Sequence, residues 1–120
     1  MLKIKRAYEP VETSDGKRIL VDRLWPRGIS KSQAHIDEWL KDLAPSSGLR
    51  KWFGHDPQKW EEFRKKYASE LSSPEQKKRL EDIARRARIE TITLIYGARD
   101  TEHNDARVLE EIIKNLMPKG

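Results

Sequence analysis

Polar and apolar residues alternate along residues 2–8 (LKIKRAY), which places Leu2, Ile4 and Tyr8 on one side of the chain. That two-residue period predicts a half-buried strand. Ser14-Asp15-Gly16 is a turn signal. It is followed by Ile19-Leu20-Val21, a short apolar and partly β-branched block that reads as a buried strand. Pro26 and Gly28 then force a loop through Asp22-Arg23-Leu24-Trp25-Pro26-Arg27-Gly28. Residues 36–43 (IDEWLKDL) fit either a short strand or a helical stretch, and we prefer the strand.

The period changes in the second half. Ser46 or Ser47 caps a short helix that runs through Trp52-Phe53. Asp56-Pro57 supplies a cap and a first-turn proline, and Trp60, Phe63, Tyr67 and Leu71 recur at helical spacing beyond it. Ser73-Pro74-Glu75-Gln76 reads as a capping box opening a helix with Leu80, Ile83, Ala84 and Ala87 inward. Residues 91–96 (TITLIY) give the strongest strand pattern in the chain. A loop through Gly97-Ala98-Arg99-Asp100-Thr101 leads to a last helix with Leu109, Ile112, Ile113 and Leu116 on its inner stripe.

Strands separated by helices define the fold class as α/β: one domain spanning 1–120, with a mainly parallel sheet of about four strands covered by helices. The link between residues 2–8 and 17–22 is too short for an ordinary helical crossover, which admits an antiparallel pairing and leaves this part of the topology open. The core should include Trp60, Phe63, Leu80, Ile83, Ile92, Leu94, Leu109, Ile112 and Leu116.

Composition narrows the function classes. The 120 residues suit one core, and no apolar run is long enough for a membrane span. The segment MLKIKRAYEP has no signal-peptide h-region, so a cytoplasmic location is expected. Cysteine is absent, which excludes disulfides, thiolate catalysis and Cys-ligated metals. Phosphatase chemistry of the C-x5-R kind goes with it. The net charge of +5 permits contact with nucleic acid or acidic metabolites without requiring either. Charged residues make up 38% of the chain, which resembles a heat-adapted surface and by itself accounts for many Lys and Arg residues.

Ligands of open α/β sheets sit beyond the carboxyl ends of the strands. The strand at 19–21 delivers Asp22, Arg23, Trp25 and Arg27 there, and the strand at 91–96 delivers Tyr96, Arg99, Asp100, Thr101, His103 and Asn104. If the two strands are neighbours, their loops form one cleft. Asp22 is then an acid, a base or a ligand-orienting carboxylate, and Arg23 and Arg27 are two-pronged anion binders. The plainer alternative is that Asp22 pairs with an arginine to brace its loop, while Trp25 packs in the core. Pro45-Ser46-Ser47-Gly48-Leu49-Arg50 brings hydroxyls and a guanidinium to a helix start, which suits a phosphate or carboxylate but equally fits an ordinary cap with a surface arginine. His103 with Asp100 could transfer protons or simply cap the last helix. His35, His55 and His103 have no metal-type spacing, so neither a metal nor a cofactor is expected. No phosphate-binding Walker motif, nucleophile elbow or helix-turn-helix is present. The basic runs Arg64-Lys65-Lys66, Lys77-Lys78-Arg79 and Arg85-Arg86-Ala87-Arg88 could track a phosphate backbone, but interleaved Glu61, Glu62, Glu70, Glu75, Glu81 and Asp82 point to a salt-bridged solvated face.

Three stretches, SDGKRILVDRLWPRG (14–28), APSSGLRKWFGHD (44–56) and TLIYGARDTEHNDARVL (93–109), together resemble the YeaO-like family, domain of unknown function 488. The resemblance covers nearly the whole chain and implies an α/β fold without an established activity. It implies that Asp22, Arg23, Trp25, Pro26, Arg27, Gly28, Pro45, Ser46, Leu49, Arg50, Phe53 and Tyr96 stand at fixed motif positions, with Asp100, His103 and Asn104 following. Gly97 departs from the Ser or Ala expected after the tyrosine.

The resulting expectation is a binding protein or enzyme for an anionic, phosphorylated or nucleotide-like small molecule. Arg23, Arg27, Ser46, Arg50, Asp100 and Asn104 would bind it, and Asp22, His103 and Tyr96 would be the candidate catalytic groups. Alternatives are a nucleic-acid-associated module using the basic helices, or a protein-interaction domain without a catalytic site. Reaction type and oligomeric state stay open.

Overall fold

The computed structural model describes residues 1–117. Every residue of the most apolar segment is buried, and that segment, β4 (Ile92–Tyr96), runs through the interior of the sheet. It pairs on one side with β1 (Leu2–Arg6) and on the other with β2 (Lys17–Leu20), and β2 carries the two-residue β3 (Glu38–Trp39) at the edge. The order is β1-β4-β2-β3 and every pairing is parallel. The topology left open by the short link is thereby decided, and among the described residues no pairing is antiparallel. β1 and β2 never pair because β4 lies between them, and residues 7–16 return along the sheet with only one 3-10 turn, Thr13–Asp15.

The two faces of the sheet are covered differently. Leu2, Ile4, Ile19, Ile92 and Leu94 face the main core. The helices that close it are α2 (Ser47–Phe53), α3 (Trp60–Glu70), α4 (Pro74–Ala87) and α5 (Asp105–Leu116). Their inward residues include Phe53, Phe63, Tyr67, Leu80, Ile83, Leu109 and Ile113. Alternating positions point to the second face, where Leu20, Ile95 and Ala7 meet Trp25, Ile29, Ile36 and Trp39 from loops and the single turn α1 (Lys31–Ala34). A buried polar network fastens this face. Asp15 accepts from Arg18 at 2.6 Å and from Lys5 at 3.0 Å, and the Thr93 hydroxyl donates to the Asp15 carbonyl at 2.7 Å. Burial pushes Asp15 upward, but the Glu12 backbone N–H and the Lys5 and Arg18 cations outweigh it and hold the carboxyl below its ordinary range.

Local signals are honoured with a few differences. Ser46 caps α2, Asp56 caps the 3-10 turn Pro57–Lys59 before α3, and Ser73 caps α4. The capping box expected at Ser73 is only half formed, because the Gln76 amide donates to the Asp42 carbonyl instead of returning to the cap. Residues 36–43 form the short β3 followed by the 3-10 turn Lys41–Leu43, which lets Trp39 face one cluster and Leu43 the other. Leu116 is 46% exposed and Ile112 and Trp60 are partly buried, since the inward stripe of α5 runs through Ala106, Leu109 and Ile113. Of the basic runs on α3 and α4, Arg64, Arg79, Arg85 and Arg86 pair with Glu61, Glu111, Asp42, Asp82, Glu38 and Glu90, while Lys65, Lys66, Lys77, Lys78 and Arg88 have no carboxylate partner among the described residues. Among the described residues no helix is long and apolar enough to cross a membrane.

Candidate functional site

Parallel pairing brings the carboxyl ends of β2 and β4 together, with Leu20 opposite Ile95. The chain leaves β2 through Val21, whose N–H still donates to the Ile95 carbonyl at 3.1 Å, so Asp22 emerges beside the end of β4. The backbone N–H of Gly97 donates to Asp22 Oδ2 at 2.8 Å. A Cβ at position 97 would lie 3.3 Å from that oxygen, which gives a steric reason for glycine where the family pattern suggested Ser or Ala. Asp22 is thus the floor of a cleft of about 360 Å³ between the 22–27 loop, the start of α2 and the start of α5.

The second carboxyl of this floor escaped the sequence reading. Asp105, the first residue of α5, lines the same cleft, and its Oδ1 accepts from the Ala106 N–H at 2.9 Å. The Asp22 and Asp105 carboxyls lie close enough in the cleft for each to act on the other's proton affinity. Burial, and then the charge of Asp22, hold the Asp105 carboxyl well above its ordinary range. Burial also raises Asp22, opposed by the bond from Asp105, the Gly97 N–H and the charges of Arg50 and His55. The two carboxyls therefore titrate as one coupled pair, in which Asp105 is the one held further toward its protonated form. Acid in the first turn of a helix reads as an ordinary dipole partner, and nothing local in the sequence says which carboxylate it will meet.

Cations surround this floor. Arg23, Arg27 and Arg50 all line the cleft, and none has a carboxylate partner among the described residues. Arg18, Arg64, Arg79, Arg85, Arg86 and Arg107 do have such partners. Arg23 makes only long contacts of 3.4 Å to the Pro45 carbonyl. Tyr8 closes one side: its hydroxyl donates to the Arg27 carbonyl at 2.9 Å, and its ring lies under the Arg6 guanidinium. Trp25, Phe53 and Phe63 supply apolar wall, with Phe53 and Phe63 stacked at 4.3 Å. His55, in the left-handed backbone region after the α2 cap, also lines the cleft and was not singled out from the sequence.

The other sequence-nominated residues divide. His103 and Asn104 reach the cleft wall, while Asp100, Ser46 and Tyr96 do not. Asp100 instead folds the loop onto itself, accepting from the Glu102 and His103 N–H groups and contacting His103 Nδ1 at 2.9 Å. These bonds hold its carboxyl below the ordinary range. His103 is further fixed edge-on against Trp60 at 5.2 Å. Asn104 caps α5, accepting from the Arg107 N–H and donating to the Asp100 carbonyl. The Ser46 hydroxyl is taken by Glu70 and by the α2 cap. Tyr96 is buried in the main core, and burial raises its hydroxyl. Among the described residues no group of three or more His, Asp and Glu could hold a metal ion.

Residues 1–119 match the family described as the inactive DUF488-N3 subclade. The chain belongs to this family. It is 47% identical over 116 residues to the uncharacterized protein YeaO of Escherichia coli (strain K12), covering 96% of this chain and 98% of that protein. It is 34% identical over 112 residues to the uncharacterized protein Rv3073c of Mycobacterium tuberculosis (strain H37Rv), covering 93% and 92%. No solved structure matches. The YeaO-like resemblance carried by residues 14–28, 44–56 and 93–109 is thereby established for the DUF488 domain as a whole.

The pH dependence of stability reports on the raised Asp105 carboxyl of this DUF488 domain. Asp105 keeps its proton in the folded chain at pH values where the unfolded chain has lost it, so the folded state binds more protons there. Its stabilising contribution is complete below the ordinary carboxylate range and is lost as pH rises through the folded value. Asp15 and Asp100, both lowered, act in the opposite sense and are lost on acidification. Asp105→Asn removes the Asp105 contribution and leaves those of Asp15 and Asp100, together with whatever part of the Asp22 shift does not depend on Asp105. Unfolding free energies between about pH 4 and pH 8 should show wild type declining relative to Asp105→Asn, by up to ~1.4 kcal/mol per pH unit for one proton. Parallel curves would mean that Asp105 is not raised.

Proposed function

We propose that this domain binds a small anionic molecule in the cleft at the carboxyl ends of β2 and β4, without turning it over. The observation that carries the reading is the set of Arg23, Arg27 and Arg50 on one concave surface with no carboxylate partner, in a chain whose other arginines include many that are paired. Converging guanidiniums repel one another unless an anion neutralises them, and their planar forks suit phosphate or carboxylate. The cleft volume is in the lower range of small-molecule sites. Binding rather than catalysis is favoured by the family's description as inactive and by the engagement of Tyr96 and Asp100 in core and loop structure. The nucleic-acid reading draws no support from the arginines of α3 and α4, which all have carboxylate partners.

The test is thermal. Phosphate should raise the melting temperature more than chloride at matched ionic strength, because a ligand that binds only the folded state stabilises it. Excluded-solute effects of such ions are general, so Arg50→Ala is the control. It should lose the specific part of the response and keep the general part. Identical responses of wild type and Arg50→Ala would return Arg50 to the role of a surface residue.

A further inference from the structure

We infer that the anion is the phosphate of a phosphorylated sugar, whose hydroxyls bind the Asp22–Asp105 pair while its phosphate binds the arginines. This rests on the anion-binding reading above and adds the chemistry of the ligand's other end. Three features of one cavity coincide: unpaired guanidiniums, a carboxyl pair at the floor, and apolar wall from Trp25, Phe53 and Phe63.

The floor selects by exclusion. One oxygen of Asp22 is taken by the Gly97 N–H and one of Asp105 by the Ala106 N–H, which leaves acceptor capacity directed at the cleft. A second anionic group there would meet the negative charge of the pair. An ammonium would meet the charges of Arg23, Arg27 and Arg50 around the same cleft. A metal ion would have to displace the proton and would find no third His, Asp or Glu among the described residues. Neutral hydroxyls suffer none of these penalties, since each can donate to a carboxyl oxygen of the pair without bringing a charge. The apolar walls match the C–H faces of a sugar ring.

The charge count points to the same class. Arg23, Arg27 and Arg50 bring three positive charges against two carboxyls, and the upward shift of Asp105 moves the balance of the cleft toward an excess of about two positive charges. A phosphomonoester, close to dianionic at neutral pH, balances it better than a diester or a lone carboxylate does.

The experiment compares methyl phosphate with ribose 5-phosphate by titration calorimetry, so that phosphate charge is constant and only the hydroxyls differ. Wild type should bind ribose 5-phosphate at least about tenfold more tightly, as expected of hydroxyls bonded to a charged acceptor. Asp22→Asn and Asp105→Ala should reduce that preference to about threefold or less. Asp105→Asn should rescue it, because the amide reproduces a protonated carboxyl that donates to Asp22. Should Asp22→Asn fail to fold, the Ala and Asn variants at position 105 carry the comparison. Equal binding of the two probes to wild type, or a preference that survives both Asp22→Asn and Asp105→Ala, would overturn the sugar-phosphate assignment and leave the anion site standing. Binding of neither probe would overturn both readings. AMP as a third probe separates the sources: tighter binding than ribose 5-phosphate assigns a nucleotide, weaker binding a free sugar phosphate.

Discussion

Leu94→Ala is expected to cost ~3–5 kcal/mol of unfolding free energy and to lower the melting temperature by roughly 12–20 °C. Leu94 is fully buried on the interior strand β4, in register with Ile4 of β1 and Ile19 of β2. Its side chain enters the main core that α3, α4 and α5 close. Removing it takes away its own transfer free energy and leaves a cavity that cannot collapse easily, because hydrogen-bonded strands hold the backbone on both sides. Leu116 provides the contrast. At 46% exposure in the last turn of α5, its truncation should cost less than ~1 kcal/mol. Urea unfolding of both variants is the measurement, and a Leu94→Ala protein as stable as wild type would contradict the placement of β4.

Gly16→Ala should be comparably damaging although it adds a single methyl group. Gly16 has φ 63° and ψ −133°, a conformation that side-chain-bearing residues rarely adopt. An added Cβ would stand 2.2 Å from the Thr91 carbonyl oxygen and 2.8 Å from Thr91 Cβ, so backbone would have to move. That same carbonyl accepts the Lys17 N–H at 3.0 Å, the contact that starts the β2–β4 ladder. Strain and overlap together should cost ~3–5 kcal/mol, seen as a large fall in melting temperature or as insoluble expression. Gly28→Ala separates the two causes. Gly28 also has positive φ, 77°, but no atom lies within 4 Å of an added Cβ, so only backbone strain of about 1 kcal/mol is expected. Equal losses at the two positions would mean that the contact with Thr91 is not there.

The sequence by itself determined the parts of this protein that depend on short-range rules. Alternation located β1, the apolar blocks located β2 and β4, and Ser46, Asp56 and Ser73 marked helix starts, because strand period and capping act within a few residues. Strands broken by helices announced the α/β class, and the ends of β2 and β4 were nominated together as one cleft. Long-range choices were not written locally. The sequence did not say that β4 would separate β1 from β2, since pairing order follows from how the whole chain packs. Nor did it say that Gln76 would prefer the Asp42 carbonyl to its own helix cap. The site divides in the same way. Asp22, Arg23 and Arg27 stood out because ligands of open α/β sheets bind beyond strand ends, and Arg50 because it follows the hydroxyls of a helix start. Asp105 did not, because an acid in the first turn of a helix satisfies the local dipole without further explanation. Only the tertiary structure set its carboxyl beside that of Asp22 in one cleft, where burial and the neighbouring charge hold Asp105 well above its ordinary range.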